Sequence, residues 1–96
     1  PQDNRLPYNA GVSAYRVEQY DKAEDFFRKA LLKSDPELQQ KIFYNLGNAL
    51  FKKGESIIDQ DNLGDVKKSW MEAIKSYQNA IDLDPDYEQA IHNLKY

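Results

Sequence analysis

Few side chains in this sequence are placed to do covalent chemistry. His92 is the single histidine, and there is no cysteine. An imidazole with no thiol or carboxylate pair near it in sequence has nothing to tune or relay its proton, so His92 reads as a surface or groove residue. The segment Asp59, Asp61, Leu63, Gly64, Asp65 has the outline of a calcium loop. Such a loop needs an oxygen ligand where Leu63 stands and a bidentate glutamate where Trp70 stands, so two of six ligands are missing. Asp84 and Asp86 flank Pro85 and read as helix caps. No phosphate-binding glycine loop and no nucleophile elbow occurs. The residues therefore point to no catalytic site, no metal site and no cofactor, and to a protein that is not an enzyme.

The side chains that do recur are amides. Asn9, Asn45 and Asn93 stand at matching places in three helical segments, with Tyr8 and Tyr44 directly before the first two. An asparagine offers both a donor and an acceptor, so a row of them can hydrogen-bond the backbone of an extended peptide. Tyrosine beside it supplies apolar area with a polar tip, a combination that interfaces favour. The same residues have a purely structural use, in which the amides tie neighbouring helices and the rings complete the core.

The elements that must position them are helices. In residues 41–54, KIFYNLGNALFKKG, the apolar side chains Ile42, Phe43, Leu46, Leu50 and Phe51 fall at helical spacing. Gly47 lies inside that stripe, where glycine costs about 1 kcal/mol against alanine, so another helix is expected to lie almost on its backbone, neighbouring hairpins pressing together at Gly47 and at Gly11. Tyr8-Asn9-Ala10-Gly11 echoes Tyr44-Asn45-Leu46-Gly47, and Ala23, Phe27 and Ala30 match the spacing of Ala73, Tyr77 and Ala80. The echo marks an internal repeat. Gly11 and Gly47 are 36 positions apart and Ala23 and Ala73 are 50 apart, which puts a 14-residue insertion inside the second unit. The pattern predicts helices over about 7–18, from 20–21 to Ser34, over 36–54 or beyond, over about 66–83, and from 85 onward. Ser34 or Asp35 is predicted to cap the third, with Pro36 just inside it. Residues 59–65 are predicted to be a loop turning at Gly64, and Trp70 to pack against the lengthened third helix. The repeat units are then about 5–35 and 36–84, with the insertion near 55–68, followed by a terminal helix over about 85–96.

Phe43-x2-Leu46-Gly47, Ala73-x3-Tyr77, Ala80 and Pro85, with Gly11, Ala23-x3-Phe27, Ala30 and Pro36 in the first unit, resemble the tetratricopeptide repeat, a helix–turn–helix unit of about 34 residues. Pro7, Ala10 and Ala14 depart from the larger apolar residues that family prefers, and Lys95 stands where its glycine would be. The resemblance implies an all-α fold of about two and a half antiparallel helix pairs stacked as a short superhelix, the second hairpin elongated. YNLGNALFKKG, the lengthened middle and WMEAIKSYQNAIDLDPDYEQA further resemble the repeat proteins of the bacterial aerotolerance (Bat) type, which implies a place in cell-envelope complexes.

In such a stack the first helix of each pair lines a concave groove. The resemblance therefore implies a peptide-binding face made by Tyr8, Asn9, Val12 and Tyr15, by Tyr44, Asn45, Asn48, Phe51 and Lys52, and by His92 and Asn93. The basic clamp with which some members hold a terminal carboxylate is not matched. Tyr8, Val12 and Gln89 occupy its lysine and asparagine places, and only Asn45 agrees. The implied function is a scaffold or adaptor that binds a protein or peptide. The competing reading is an element of a longer array, or a module that self-associates through its terminal helix.

Composition narrows the partners. The net charge is −3 with 30% charged residues, and an acidic chain without a basic block is a poor match for nucleic acid. No apolar run approaches the roughly 18 residues a membrane span needs. The compartment stays open between cytoplasm and periplasm, envelope-associated if the Bat-type likeness holds. The start at Pro1, with no signal-like segment, suggests a piece of a longer protein.

Overall fold

The computed structural model describes residues 5–32, 34–85 and 93–94. Among them the chain is all-helical, with four α-helices and no strand: α1 (Arg5–Arg16), α2 (Tyr20–Leu31), α3 (Pro36–Ser56) and α4 (Leu63–Leu83), with one 3-10 turn, Ile58–Gln60, between the last two. α1 packs along α2 and α3 along α4 as two hairpins, and α2 packs against α3. The core runs through both hairpins. Ala23, Phe27 and Ala30 come from α2, Ile42, Leu46, Ala49 and Leu50 from α3, and Ala73 and Tyr77 from α4.

Local chemistry sets the helix ends. Asp35 caps α3, its carboxylate accepting from Leu38 N–H at 2.8 Å, with Pro36 in the first turn, where no N–H is needed. Ser34 turns the other way and donates to the Ala30 carbonyl at the end of α2. The first hairpin turns within three residues, helped by Glu18 at φ 62°.

The second hairpin's loop is shorter than the sequence predicts. Residues 63–65 are already helical, because the Asn62 carbonyl accepts from the N–H groups of Asp65 and Val66 and so opens α4. Gly64 makes no turn; the left-handed residue is Asp61, at φ 54°.

The two glycines in the leading helices have a specific neighbour. A Cβ on Gly11 would lie 2.5 Å from Cε1 of Phe27, and one on Gly47 the same 2.5 Å from Cε1 of Tyr77. The gap therefore admits an aromatic ring from the second helix of the same hairpin, rather than the backbone of a neighbouring hairpin. The ring pairs repeat as well. Tyr8 and Phe27 have centroids 6.0 Å apart at 49°, and Tyr44 and Tyr77 6.1 Å apart at 47°. Tyr15 meets Tyr20 where Phe51 meets Trp70. Four residues separate the first of those pairs and eighteen the second, so the extra 14 residues lie between Phe51 and Trp70.

The extension is built in sevens. Gly54 lies seven after Gly47, and a Cβ there would meet Nε1 of Trp70, seven before Tyr77, at 2.6 Å. Ser76 Oγ donates to the Phe43 carbonyl and Ser69 Oγ to the Leu50 carbonyl, each at 2.6 Å. Seven residues are nearly two turns, with a drift of about 20°, so the contact pattern recurs one step further along the hairpin. Trp70 closes it, with Nε1 donating to the Phe51 carbonyl at 3.1 Å and its ring stacked on Phe51.

Candidate functional face

The leading helices α1 and α3 present one stripe each. Positions 5, 9, 12 and 16 share a face of α1, and 41, 45, 48 and 52 the equivalent face of α3. Asn9 is exposed and Val12 is half-buried against the core. Tyr8 and Tyr15 lie beside this stripe, both partly buried against the core. Burial raises the Tyr15 pKa, opposed by the nearby Lys52 ammonium.

Two of the three asparagines are engaged between helices. Asn45 Nδ2 donates to the Tyr8 hydroxyl at 3.1 Å and to the Lys41 carbonyl one turn back at 2.9 Å. Asn93 Nδ2 repeats the first bond one unit on, reaching the Tyr44 hydroxyl at 3.4 Å and Asn48 Oδ1 at 3.0 Å. Asn48 Oδ1 also accepts from the Tyr77 hydroxyl at 2.5 Å. Burial drives the Tyr77 pKa far above its ordinary value, so this hydroxyl stays a donor. Phe51 remains 37% exposed, and Lys52 pairs with Glu55 at 3.3 Å across the surface. His92 lies outside the described residues. The structure thus gathers Tyr8 with Asn45, and Tyr44 and Asn48 with Asn93, while Asn9, Tyr15, Phe51 and Lys52 offer groups to the outside.

Sequence reasoning did not find the ionic seam between the hairpins. Lys53 Nζ lies 2.9 Å from Glu24 and 3.0 Å from Asp21, and Arg28 joins Glu24 at 2.9 Å to Glu72 at 3.5 Å. Burial would raise the Glu24 pKa, but Lys53 and Arg28 outweigh it and hold the carboxyl below its ordinary value. Burial would lower that of Lys53, but Glu24 and Asp21 hold it above. A hollow of about 400 Å³ opens beside this seam, with Tyr20, Asp21, Lys53 and Ile57 in its wall and none of the stripe residues.

Among the described residues no three histidine or carboxylate side chains gather as metal ligands, and no helix is long and apolar enough to cross a membrane. Compared with protein-family models, with curated proteins and with solved structures, the chain matches none.

Proposed function

We propose that this chain is a non-catalytic interaction module, a short tetratricopeptide-like superhelix that holds a peptide or an extended protein segment against α1 and α3 as a scaffold or adaptor. The observation that carries the reading is the repeated stripe. Equivalent faces of the two leading helices, which Tyr8 and Asn45 hold side by side, expose amide, aromatic and basic groups while their opposite sides are sealed in the core. A place in a bacterial envelope complex rests on the sequence likeness alone.

Selection of peptides from a random 12-residue library tests the proposal. Selected peptides should bind the wild-type chain and lose affinity for a variant carrying Asn9→Ala, Tyr15→Ala and Phe51→Ala. Peptides that bind both chains equally would refute it.

One observation favours a second reading, an element of a longer helical array. Asn93 takes the place on Tyr44 that Asn45 takes on Tyr8, and Leu94 packs against the core, so these two residues meet the second hairpin as Asn45 meets the first. Concentration-dependent sedimentation of the chain, lost on removing residues 84–96, would support that role.

A further inference from the structure

Both sides of the junction between the hairpins recur, uncovered, elsewhere on the molecule. At the junction, Ile42, Leu46 and Lys53 share one stripe of α3, and from it Lys53 reaches Asp21 and Glu24 of α2 at 3.0 and 2.9 Å. Thirty-six positions earlier the same stripe reads Leu6 and Ala10 on α1 and, just past its end, Val17, whose N–H still bonds the Ser13 carbonyl. Ile42 is fully buried, whereas Leu6 and Val17 are 72% and 64% exposed. Fifty positions later, Asp21 and Glu24 are replaced by Met71 and Ile74 of α4, 69% and 46% exposed. The cation on one side and the acids on the other have thus both given way to apolar side chains. A foreign partner on either face would constrain that face alone. The paired change matches the two faces to each other, since a charge kept on only one of them would be buried without a partner.

We infer that copies of this chain stack head to tail, the Leu6 to Val17 side of one lying on Met71 and Ile74 of the next in the register in which α3 lies on α2, and that Asn93 and Leu94 hold this association in check. In that register Val17 meets Met71 and Ile74 as Lys53 meets Asp21 and Glu24. Asn9 and Ala10 then take the places on the second hairpin that Asn45 and Leu46 have on the first. Those places are already filled. Asn93 reaches the Tyr44 hydroxyl as Asn45 reaches that of Tyr8, and Leu94, 48 positions after Leu46, packs against the core. A tethered segment has the advantage of high effective concentration, and Leu94 buries more apolar surface than Ala10 could. The chain therefore stays a monomer while Asn93 and Leu94 are in place, and copies stack when they leave. Such a contact is heterologous, so it extends to open rows of copies unless it closes into a ring. The inference does not rest on the peptide-binding reading of α1 and α3.

Sedimentation velocity of the full chain tests it. Leu94→Asp loosens the terminal contact, and Asn93→Ala, which removes only hydrogen bonds, does so more mildly. Both variants should stay helical by circular dichroism and self-associate about tenfold more tightly than the wild-type chain, in which the competent form is a minor fraction. Added to Leu94→Asp, Val17→Lys and Ile74→Glu should each abolish association, because each sets one charge against an apolar face. Mixing those two proteins should restore it, the introduced lysine and glutamate facing each other as Lys53 and Glu24 do. Association lost rather than gained in Leu94→Asp would assign self-association to residues 84–96 themselves, which supports the longer-array reading and overturns this one. Monomers in both terminal variants at millimolar concentration would leave the two apolar faces to other partners and overturn it. Association indifferent to Val17→Lys and Ile74→Glu, or a mixture that stays monomeric, would overturn it as well.

Discussion

The Tyr77 hydroxyl donates to Asn48 Oδ1 at 2.5 Å, and the equivalent positions of the first hairpin hold Phe27 and Val12. The polar pair has replaced an apolar pair as a set, as a buried hydroxyl requires. Asn48→Ala, which strands that hydroxyl, should cost about 1–3 kcal/mol. The double substitution Tyr77→Phe/Asn48→Val, which installs the first hairpin's pair and leaves Asn93 Nδ2 its Tyr44 bond, should lose less than Asn48→Ala alone. Urea unfolding of the three proteins measures both, and equal losses in the single and double variants would show the two residues to be uncoupled.

The glycines divide by what surrounds them. Gly47→Ala drives a methyl into the ring of Tyr77, which is 5% exposed and has little room to move. The overlap outweighs the gain in helix propensity, and a net loss of about 1–2 kcal/mol is expected. Gly64→Ala meets nothing within 4 Å in the first turn of α4 and should gain about 0.5 kcal/mol. Thermal melts of the two variants should move in opposite directions.

The lengthened hairpin predicts its own additivity. Ser69 and Ser76 each donate to an α3 carbonyl seven residues from the other's acceptor. Each serine-to-alanine change should cost about 1 kcal/mol. With about 10 Å of helix between them, the double variant should lose the sum to within about 0.5 kcal/mol. A strongly non-additive denaturation result would mean that the two rungs share one rearrangement.

Stability should fall at both ends of the pH scale, for separate reasons. Glu24 has a folded pKa below its ordinary 4.5, so its contribution is full above 4.5 and is lost as pH falls through the folded value. Tyr77, and Lys53 with it, are shifted upward from 10.0 and 10.5. Their contributions are full below those values and are lost as pH climbs past them toward the folded ones. Melting temperature should therefore plateau between these limits. Glu24→Gln should flatten the acid limb and Tyr77→Phe the alkaline limb. An unchanged profile in either variant would remove that group from the account.

Much of the architecture was legible because it is written twice. Gly11 and Gly47, with Phe27 and Tyr77 at matching spacing, announced paired helices, and the unequal separations left a 14-residue excess in the second pair. The identity of the glycines' neighbour was not legible, since a missing side chain shows that space is occupied but not by what. Nor was the ionic seam, because Lys53, Glu24 and Glu72 are far apart in sequence and charged side chains carry no periodic signal. Gly54 and Trp70 did carry one, each seven residues from a member of the Gly47–Tyr77 pair. For the candidate face, the recurrence of asparagine was visible. Which amides turn inward to tyrosine hydroxyls depends on how closely α1 approaches α3, a tertiary distance no local pattern encodes.

The most direct test of the binding face is the affinity of one library-selected peptide, by isothermal titration, for the wild-type chain and for the Asn9→Ala/Tyr15→Ala/Phe51→Ala variant. The variant's complex should be at least tenfold weaker, about 1.4 kcal/mol, with the variant still folded by circular dichroism. Undiminished affinity in a folded variant would contradict it.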